Sequence, residues 1–288
     1  MKFSDNATSV EKIFVILQYL VPQHLLSRLV GWFADNEIPW LKNFLIEKFI
    51  RQFRVNMNEA AQPDYRLYKS FNAFFTRPLH EGVRPVCEEG VACPADGQVS
   101  QLGIIESGRI FQAKGQSYSV AELLGGDYEL ADKFRDGMFS TIYLSPRDYH
   151  RVHMPVAGKL LYTVYVPGDL FSVNKVTAEN VPRLFARNER LVAVFATEYG
   201  EMAVVLVGAM IVAGIETVWG GQVAPYQKRI QSQDFSQPQA VVVLDKGAEL
   251  GRFKLGSTAI VLFRKNSGLQ WRTIAGQSVR MGQLLASC

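Results

Sequence analysis

The chain has 288 residues, 48% of them hydrophobic and 20% charged, which is the composition of a folded protein and not of a disordered one. Its 31 basic residues exceed the 27 acidic ones by only four and form no Lys/Arg block, which argues against nucleic-acid binding. The three cysteines and four histidines show neither metal-ligand spacing nor a disulfide framework, so we expect no metal and a reducing, cytosol-facing setting.

Residues 10–54 carry apolar side chains at helical spacing, with breaks at Pro22 and Pro39. The pattern predicts amphipathic helices in an N-terminal segment of residues 1–60. Their apolar faces lie either in a membrane interface or against the protein's own core, and the nearly balanced charge leaves both alternatives open. The longest apolar run, residues 13–21, is interrupted by Gln18 and is shorter than the roughly 20 residues that span a bilayer.

The rest of the chain, residues 61–288, is predicted to be β-rich, which makes the fold class α+β. A polar connector over residues 56–85 contains clustered phenylalanines that predict a short helix docked on the body. Short apolar runs then alternate with Gly, Pro, Asp and Asn, which favours a mainly antiparallel β sandwich or barrel. These runs are 97–99, 103–105, 139–144, 160–166, 192–195, 203–207, 241–244 and 259–263.

Helices and loops are also predicted within the β-rich part. Ser119–Leu124 is expected to be helical, with Ser119 and Glu122 at capping-box spacing, and a second helix is expected around residues 176–187. Residues 226–239 are polar without periodicity and predict an exposed, mobile loop. Near the C-terminus, residues 246–251 and 277–284 resemble the strand-turn units of biotinyl or lipoyl domains, which suggests a barrel-like C-terminal part.

Gly256 and Ser257 form a dipeptide with a specific chemical capability. Glycine allows a sharp turn and a close approach to its carbonyl, and the Ser257 hydroxyl lies next to that carbonyl. A nearby base could drive Oγ onto the Gly256 carbonyl and exchange the peptide bond for an ester. Elimination of that ester would break the chain and leave dehydroalanine, then a pyruvoyl group, at residue 257. A plain tight turn is the alternative interpretation of the same residues.

Two histidines and one aspartate are candidate partners of Ser257. His150 and His153 lie three residues apart in a charged, proline-bounded segment, where they diverge in a strand and converge in a turn or helix. Asp96 lies in the turn Pro94-Ala-Asp-Gly97, where it is either an ordinary turn-forming residue or the residue that orients a histidine. In the second case, the histidine would take the proton of Ser257, as in a Ser-His-Asp arrangement.

Six motifs, together with FNAFFTRPL (71–79), resemble bacterial phosphatidylserine decarboxylase in sequence and order, and the resemblance runs from about residue 10 to 288. The motifs are PADG (94–97), YLSPRDYHRVHMP (143–155), PGDLFSVN (167–174), LFARNER (184–190), GA-x-IV-x-x-IETVW (208–219) and GRFKLGST (251–258).

The resemblance implies a precursor that cleaves itself between Gly256 and Ser257. The products would be a β chain, residues 1–256, and an α chain, residues 257–288, whose first residue is a pyruvoyl group formed from Ser257. Asp96, His153 and Ser257 match the relay that drives self-cleavage, and His150 matches a histidine of the decarboxylation step. PGDLFSVN and IETVW match segments near the active site.

The resemblance also implies the reaction, the partners and the location. Phosphatidylserine would be decarboxylated to phosphatidylethanolamine and CO₂ through a Schiff base with the pyruvoyl group, without a metal or an external cofactor. The two chains of one precursor would form a heterodimer, with a homo-oligomer of that unit as a further expectation. Because the substrate lies in a bilayer, the helices of residues 1–60 would attach the protein peripherally to the cytoplasmic face of the cell membrane.

Three other functions remain as alternatives. A Ser-His-Asp hydrolase would use an intact Ser257 as nucleophile, although the chain lacks a G-x-S-x-G elbow. A lipoyl- or biotinyl-like, membrane-associated carrier module would carry a modified lysine, although Lys254 lacks the flanking methionines of such modules. A pyruvoyl-dependent amino-acid decarboxylase would share the chemistry but would not explain helices suited to a bilayer.

Overall fold

Three helices precede the body of the protein. The structure, a computed structural model, describes residues 3, 7–210, 214–224, 228–237, 241–254 and 256–288. Its first helices are α1 (Ser9–Leu20), α2 (Gln23–Ala34) and α3 (Pro39–Phe53). Helix α1 begins with a capping box, in which Thr8 and Glu11 each accept a hydrogen bond from the other's backbone N–H, at 3.2 and 2.8 Å. Pro39 is the first residue of α3, where its missing N–H is not needed. The helix prediction is confirmed.

Most large apolar side chains of these helices face outward. The buried apolar residues are Val15 in α1, Ala34 in α2 and Ile46 in α3, so packing on the body covers only a narrow stripe of each helix. The exposed set comprises Val10, Ile13, Leu17, Leu20, Leu25, Leu29, Trp32, Phe33, Trp40 and Phe44. Among the described residues, no single helix is long and apolar enough to cross a membrane; α1 and α2 meet that criterion only as a pair, bent by 88°.

The other elements of the described residues follow in chain order. The helices are α4 (Phe71–Phe75), α5 (Val120–Leu123), α6 (Tyr128–Phe134), α7 (Lys175–Asn180) and α8 (Leu184–Arg187). The strands are β1 (Val91–Ala92), β2 (Gly97–Ile104), β3 (Arg109–Ala113), β4 (Gln116–Ser119), β5 (Met138–Leu144), β6 (Arg151–His153), β7 (Gly158–Val166), β8 (Arg190–Thr197), β9 (Gly200–Val207), β10 (Gly214–Thr217), β11 (Gly221–Ala224), β12 (Gln231–Asp234), β13 (Val243–Leu244), β14 (Glu249–Lys254), β15 (Ser257–Phe263), β16 (Gln270–Trp271), β17 (Ser278–Val279) and β18 (Leu284–Ser287).

The strands form one large sheet and smaller ones beside it. The large sheet has nine strands in the order β12-β7-β8-β9-β15-β5-β2-β17, with β13 also paired to β7. Smaller sheets have the orders β11-β10-β14-β6 and β1-β18-β16, and β3 pairs with β4. The large sheet has two separate edges, so it does not close into a barrel within the described part of the chain. The barrel-like C-terminal part predicted from residues 246–251 and 277–284 is wrong, because the strands of these segments, β14, β17 and β18, lie in three different sheets. The prediction of an α+β fold with a mostly antiparallel body is confirmed.

The central strand β15 is buried on both faces. Ala259, Val261 and Phe263 pack into a core shared with the smaller sheets, while Ile260 and Leu262 pack into a second core shared with the short helices. Burial on both faces explains why residues 259–263 read as a continuous apolar run and not as an alternating one. Strand β15 pairs along its length with β5 on one side and β9 on the other.

Helix α4 joins the N-terminal helices to the body. Its N-cap is Ser70, whose hydroxyl accepts from Ala73 N at 3.2 Å. The rings of Phe71, Phe74 and Phe75 contact Phe49 of α3 at centroid distances of 5.2, 6.1 and 5.8 Å. The prediction of a short docked helix in this connector is therefore confirmed, and the domain boundary at residue 60 stays a prediction.

Parts of the predicted secondary structure are wrong in detail. Within the predicted loop 226–239, Gln231–Asp234 forms the edge strand β12; its residues are all exposed, so no buried face imposes alternation. Residues 226, 227, 238 and 239 lie outside the described residues. The helix predicted around 176–187 is two short helices, α7 and α8, and α6 is an additional helix that begins at an Asp127 N-cap.

Candidate active site

Ser257 begins the central strand immediately after a glycine in a left-handed conformation. Gly256 has φ +63°, which L side chains rarely adopt, whereas a Cβ built there would meet no atom of the described residues within 4 Å, chain neighbours aside. Glycine is therefore required here by backbone conformation and not by lack of space. Ser257 is fully buried, and its Oγ has no hydrogen-bond partner among the described residues. A buried hydroxyl without a partner is uncommon, and a chemical role is one of its recognised explanations.

His150 lies beside the ring of Phe75 in a fully buried position. The two rings stack at 4.0 Å with an interplanar angle of 24°. Neither imidazole nitrogen has a hydrogen bond of normal geometry within the described part of the chain. Burial, and then the positive charge of Arg77, lower the pKa of His150 to about 3, so the ring is neutral near neutral pH. Its backbone carbonyl accepts from Phe253 N at 3.0 Å, three residues before Gly256.

His153 is engaged by two partners of its own. Its Nδ1 lies 2.8 Å from the Gly247 carbonyl oxygen and its Nε2 lies 3.1 Å from the Tyr149 hydroxyl. Burial lowers the pKa of His153, which favours the neutral ring. Because a carbonyl only accepts, Nδ1 carries the proton and Nε2 accepts from the tyrosine hydroxyl. The lone pair that a general base would use is therefore directed at Tyr149.

Asp96 forms a buried clamp with Arg84. Arg84 Nε donates to Oδ1 at 2.9 Å and Nη2 to Oδ2 at 2.6 Å, and Met281 N donates to Oδ1 at 2.8 Å. Glu59 also accepts from Arg84 Nη2, at 2.7 Å. A bidentate arginine–carboxylate pair is a strong and directional interaction. It ties Asp96 to the connector on one side and to the C-terminal segment on the other.

The predicted site residues are only partly brought together. Phe75, on which His150 stacks, lines the same cavity as Ser257. Asp96 and His153 are close through the backbone, because His153 N donates to the Pro94 carbonyl at 2.8 Å. Among the described residues, however, no hydrogen bond links Asp96, His153 and Ser257 into a relay. Their roles in cleavage stay predictions, and a relay would require Nε2 of His153 to leave Tyr149.

An apolar cavity of about 600 Å³ separates Ser257 from the N-terminal helices. It extends from the described residues of α2, α3 and α4 to the start of β15. Its lining includes Val30, Phe33, Leu45, Phe49, Phe53, Phe71, Phe75, Leu144, Val173, Met210, Gly256 and Ser257. Such a lining suits acyl chains or another extended apolar group. Helices α2 and α3 and the buried Ser257 thus line the same apolar cavity.

Two predicted active-site segments lie around this region. In PGDLFSVN, Ser172 and Val173 line the apolar cavity, and Ser172 N donates to Gln18 Oε1 of α1 at 2.8 Å. In IETVW, Glu216 Oε1 lies 2.6 Å from Lys254 Nζ, on the strand that precedes Gly256. The first segment therefore contacts the cavity directly, whereas the second supports strand β14.

Sequence reasoning did not assign roles to several residues that shape the site. Tyr149, which binds His153, lies within YLSPRDYHRVHMP, and Phe75, which stacks on His150, lies within FNAFFTRPL. The position of Tyr149 and Phe75 within these motifs was the only feature of the sequence that could have pointed to them. Arg84 and Glu59, which hold Asp96 in its clamp, lie outside the motifs, so their sequence context gave no signal.

Comparison with known proteins identifies the family. A family model described as phosphatidylserine decarboxylase matches residues 71–287, and a second, described as PSD, matches residues 13–54. The matches cover both the β-rich body and the N-terminal helices. The chain is therefore an enzyme of the carboxy-lyase class. It belongs to the phosphatidylserine decarboxylase family.

Individual relatives match nearly the whole chain. A protein from Ectopseudomonas mendocina (strain ymp) is 59% identical over 282 residues, which cover 96% of this chain and 98% of the relative. Proteins from Pseudomonas aeruginosa (strain LESB58) and Pseudomonas putida (strain GB-1) are 60% and 59% identical, covering 96% of this chain and 97% of each relative. Each is named phosphatidylserine decarboxylase proenzyme, a name that describes a precursor which is processed.

Proposed function

We propose that this protein cleaves itself between Gly256 and Ser257 and, with a pyruvoyl group at residue 257, converts phosphatidylserine to phosphatidylethanolamine and CO₂. The observation that carries the proposal is the buried, unpartnered Ser257 Oγ at the wall of an apolar cavity. Family membership and the printed names of the relatives support the substrate and the processing.

The cleavage chemistry uses atoms of the Gly256–Ser257 dipeptide. Ser257 Oγ attacks the Gly256 carbonyl carbon, the C–N bond breaks, and the nitrogen takes up the hydroxyl proton. A base then removes the Ser257 α-proton, the Cβ–O bond breaks, and Gly256 leaves as a carboxylate. The dehydroalanine at residue 257 takes up water and releases ammonia, which leaves a keto group.

His150 is the group that we assign to the decarboxylation step. When present, the pyruvoyl carbonyl supplies an acceptor for the headgroup amine and for the electron pair that departing CO₂ leaves behind. His150 is neutral and fully buried, and neither ring nitrogen has a hydrogen bond of normal geometry among the described residues. We assign it the proton transfer to the substrate α-carbon.

The two chains are proposed to stay associated as a heterodimer after cleavage. Strand β15 would belong to the small chain, yet it lies between β9 and β5, which would belong to the large chain. Strand β17 pairs with β2 and β18 pairs with β1, so further strands of the small chain cross the boundary. Separation would expose these buried faces to water. A homo-oligomer of the unit stays a prediction.

We also propose peripheral attachment to the cytoplasmic face of the cell membrane. Helices α1, α2 and α3 carry many exposed apolar side chains, and α2 and α3 also wall the apolar cavity. Exposed apolar patches of this kind are typical of membrane or protein contact sites.

Replacing Trp32 and Trp40 by serine is expected to weaken binding to phosphatidylserine vesicles at least about tenfold, because burying a large apolar side chain contributes about 1.5–3 kcal/mol. Both side chains are exposed, at 63% and 71%. The measurement is co-sedimentation with vesicles. Ile274→Ser is the matched control, since Ile274 is 71% exposed on the C-terminal segment. An equal loss of vesicle binding in the control, or no loss in the double variant, would contradict the assigned membrane face.

Asp96→Asn is expected to slow cleavage more than Glu59→Gln does. Both carboxylates bind Arg84, so either change weakens the clamp, but only Asp96 matches the relay of the family. The measurement is the rate at which newly made precursor is cleaved, together with thermal unfolding of each variant. Equal slowing in the two variants would restrict Asp96 to a structural role beside Arg84.

Carboxyl-labelled phosphatidylserine tests the proposed function. The cleaved protein is expected to release labelled CO₂ from detergent-dispersed lipid, and no release by fully cleaved protein would reject the proposal. A Ser-His-Asp hydrolase, the alternative function, would instead keep an uncut chain that reacts covalently with a serine-directed phosphonate. Among the described residues, no hydrogen bond joins Ser257 to His153, as that alternative requires.

A further inference from the structure

A second, polar cavity of about 560 Å³ lies next to the apolar one. Five arginines and three carboxylates line it, so its charge is positive overall. The arginines are Arg54, Arg77, Arg84, Arg147 and Arg280, and the carboxylates are Glu59, Asp96 and Asp148. Burial raises the pKa of Asp148, one of the three carboxylates. A cavity of this kind attracts anions.

Arg77 is the buried cation of this cavity. Only 3% of the residue is exposed, and its Nε and Nη1 have no hydrogen-bond partner among the described residues. Its Nη2 donates to the Arg147 carbonyl at 3.4 Å, and its guanidinium lies 5.4 Å from the centre of the Phe74 ring. Within the described part of the chain it forms no ion pair. A buried guanidinium without a counter-ion is costly, so an anion from outside the chain is the expected partner.

The two cavities meet along three pieces of backbone. Phe53, Phe75 and Leu144 line the apolar cavity. Residues 54, 77 and 145, one or two positions further along the chain, line the polar cavity. Tyr143 lines both. A ligand that contacts both spaces must therefore join an apolar part to an anionic part over a short distance, as a phospholipid does.

We propose that the arginine-lined cavity binds the phosphodiester group of the phospholipid headgroup, with Arg77 as its buried contact. This inference rests on the proposed function, because it takes a phospholipid as the substrate. The phosphodiester is favoured over the serine carboxylate by the chemistry of the reaction. A cation held against the carboxylate would stabilise the ground state and oppose CO₂ loss, whereas the phosphodiester keeps its charge throughout. Planar guanidinium groups are well matched to phosphate oxygens.

An anion at Arg77 also has a consequence for His150. In the unliganded protein the charge of Arg77 adds to burial in keeping the pKa of His150 low. A phosphodiester beside Arg77 would offset that charge and so ease protonation of the imidazole. Headgroup binding would thereby prepare His150 for the proton transfer assigned to it.

The first test measures binding without catalysis. In the Ser257→Ala chain, glycerophosphoethanolamine, which has a phosphodiester and no carboxylate, is expected to raise the unfolding temperature. Adding Arg77→Met should abolish this shift, whereas adding Arg109→Met should not, because Arg109 is exposed and its side chain contacts Ser117 outside the cavity. If L-serine raised the unfolding temperature and glycerophosphoethanolamine did not, the site would be assigned to the carboxylate and the proposal would be overturned.

The second test uses the cleaved enzyme and short-chain phosphatidylserine. Arg77→Met is expected to raise KM at least about tenfold and to change kcat less, with partial recovery in Arg77→Lys, because a charge-assisted contact to phosphate is lost and then partly restored. Inorganic phosphate should compete far more weakly than the lipid. Competition by phosphate as strong as that of the lipid headgroup would indicate a site for free anions and reject the lipid assignment.

The two proposals fail in distinguishable ways. If the cleaved wild-type protein releases no CO₂ from phosphatidylserine, the proposed function is rejected. If it releases CO₂ but Arg77→Met leaves KM unchanged, and glycerophosphoethanolamine has no effect on the Ser257→Ala chain, only the phosphodiester site is rejected.

Discussion

A Ser257→Ala chain is expected to remain a single polypeptide and to release CO₂ at least about a thousandfold more slowly than the wild type. Both cleavage and formation of the electrophilic carbonyl depend on Oγ. The substitution removes one buried oxygen that has no hydrogen-bond partner, so folding stability should be unchanged or higher. The loss is therefore expected to be chemical and not structural. Denaturing gel electrophoresis and thermal unfolding measure the two effects separately.

Ser140→Ala is the matched control for this experiment. Ser140 is fully buried on the neighbouring strand β5, and its Oγ also lacks a partner among the described residues. It pairs with Val261 in the middle of β15, away from Gly256. This variant should be cleaved and active as the wild type is. Cleavage of the Ser257→Ala chain at the same bond would refute the serine-driven route.

His150→Ala is expected to be cleaved but to release CO₂ at least about a hundredfold more slowly, because a positioned proton-transfer group typically contributes that much or more. The ring is buried on Phe75 and neutral in the unliganded protein, so it must take up a proton before it can deliver one to the substrate α-carbon. The measurement combines the cleaved fraction with the rate of CO₂ release per cleaved molecule.

His80→Ala provides the comparison for the His150 variant. His80 is exposed in the connector, so its loss should alter neither cleavage nor activity. In the His150→Ala chain, loss of the ring that stacks on Phe75 also leaves a cavity, which thermal unfolding will detect as a lower unfolding temperature. Normal decarboxylation by a cleaved His150→Ala protein would remove this histidine from the mechanism.

The fold could be predicted where burial imposes a pattern on the chain. Helices α1 to α3 show helical apolar spacing, and β15 reads as a short apolar run because both of its faces are buried. Strand β12 could not be predicted, since an exposed edge strand has no buried face to make its sequence alternate. Sequence spacing also left open whether the N-terminal apolar faces pack inward or outward, because helical periodicity is the same in both cases.

The candidate site could be predicted as a set of residues but not as a network. Gly256 and Ser257 are neighbours whose chemistry is evident from their order alone. The partners of Asp96 and His153 come from distant parts of the chain: Met281 donates to Asp96, and Gly247 accepts from His153. Such contacts depend on tertiary packing, which motif spacing does not encode. The buried position of Arg77 has the same origin.

The measurement that tests the central claim most directly is the intact mass of the purified wild-type protein under denaturing conditions. The expected result is two chains that correspond to residues 1–256 and 257–288. The smaller should have a blocked N-terminus and the mass of a pyruvoyl group in place of Ser257. A single chain with the mass of the full sequence and an unmodified Ser257, in a preparation that releases CO₂ from phosphatidylserine, would contradict the account.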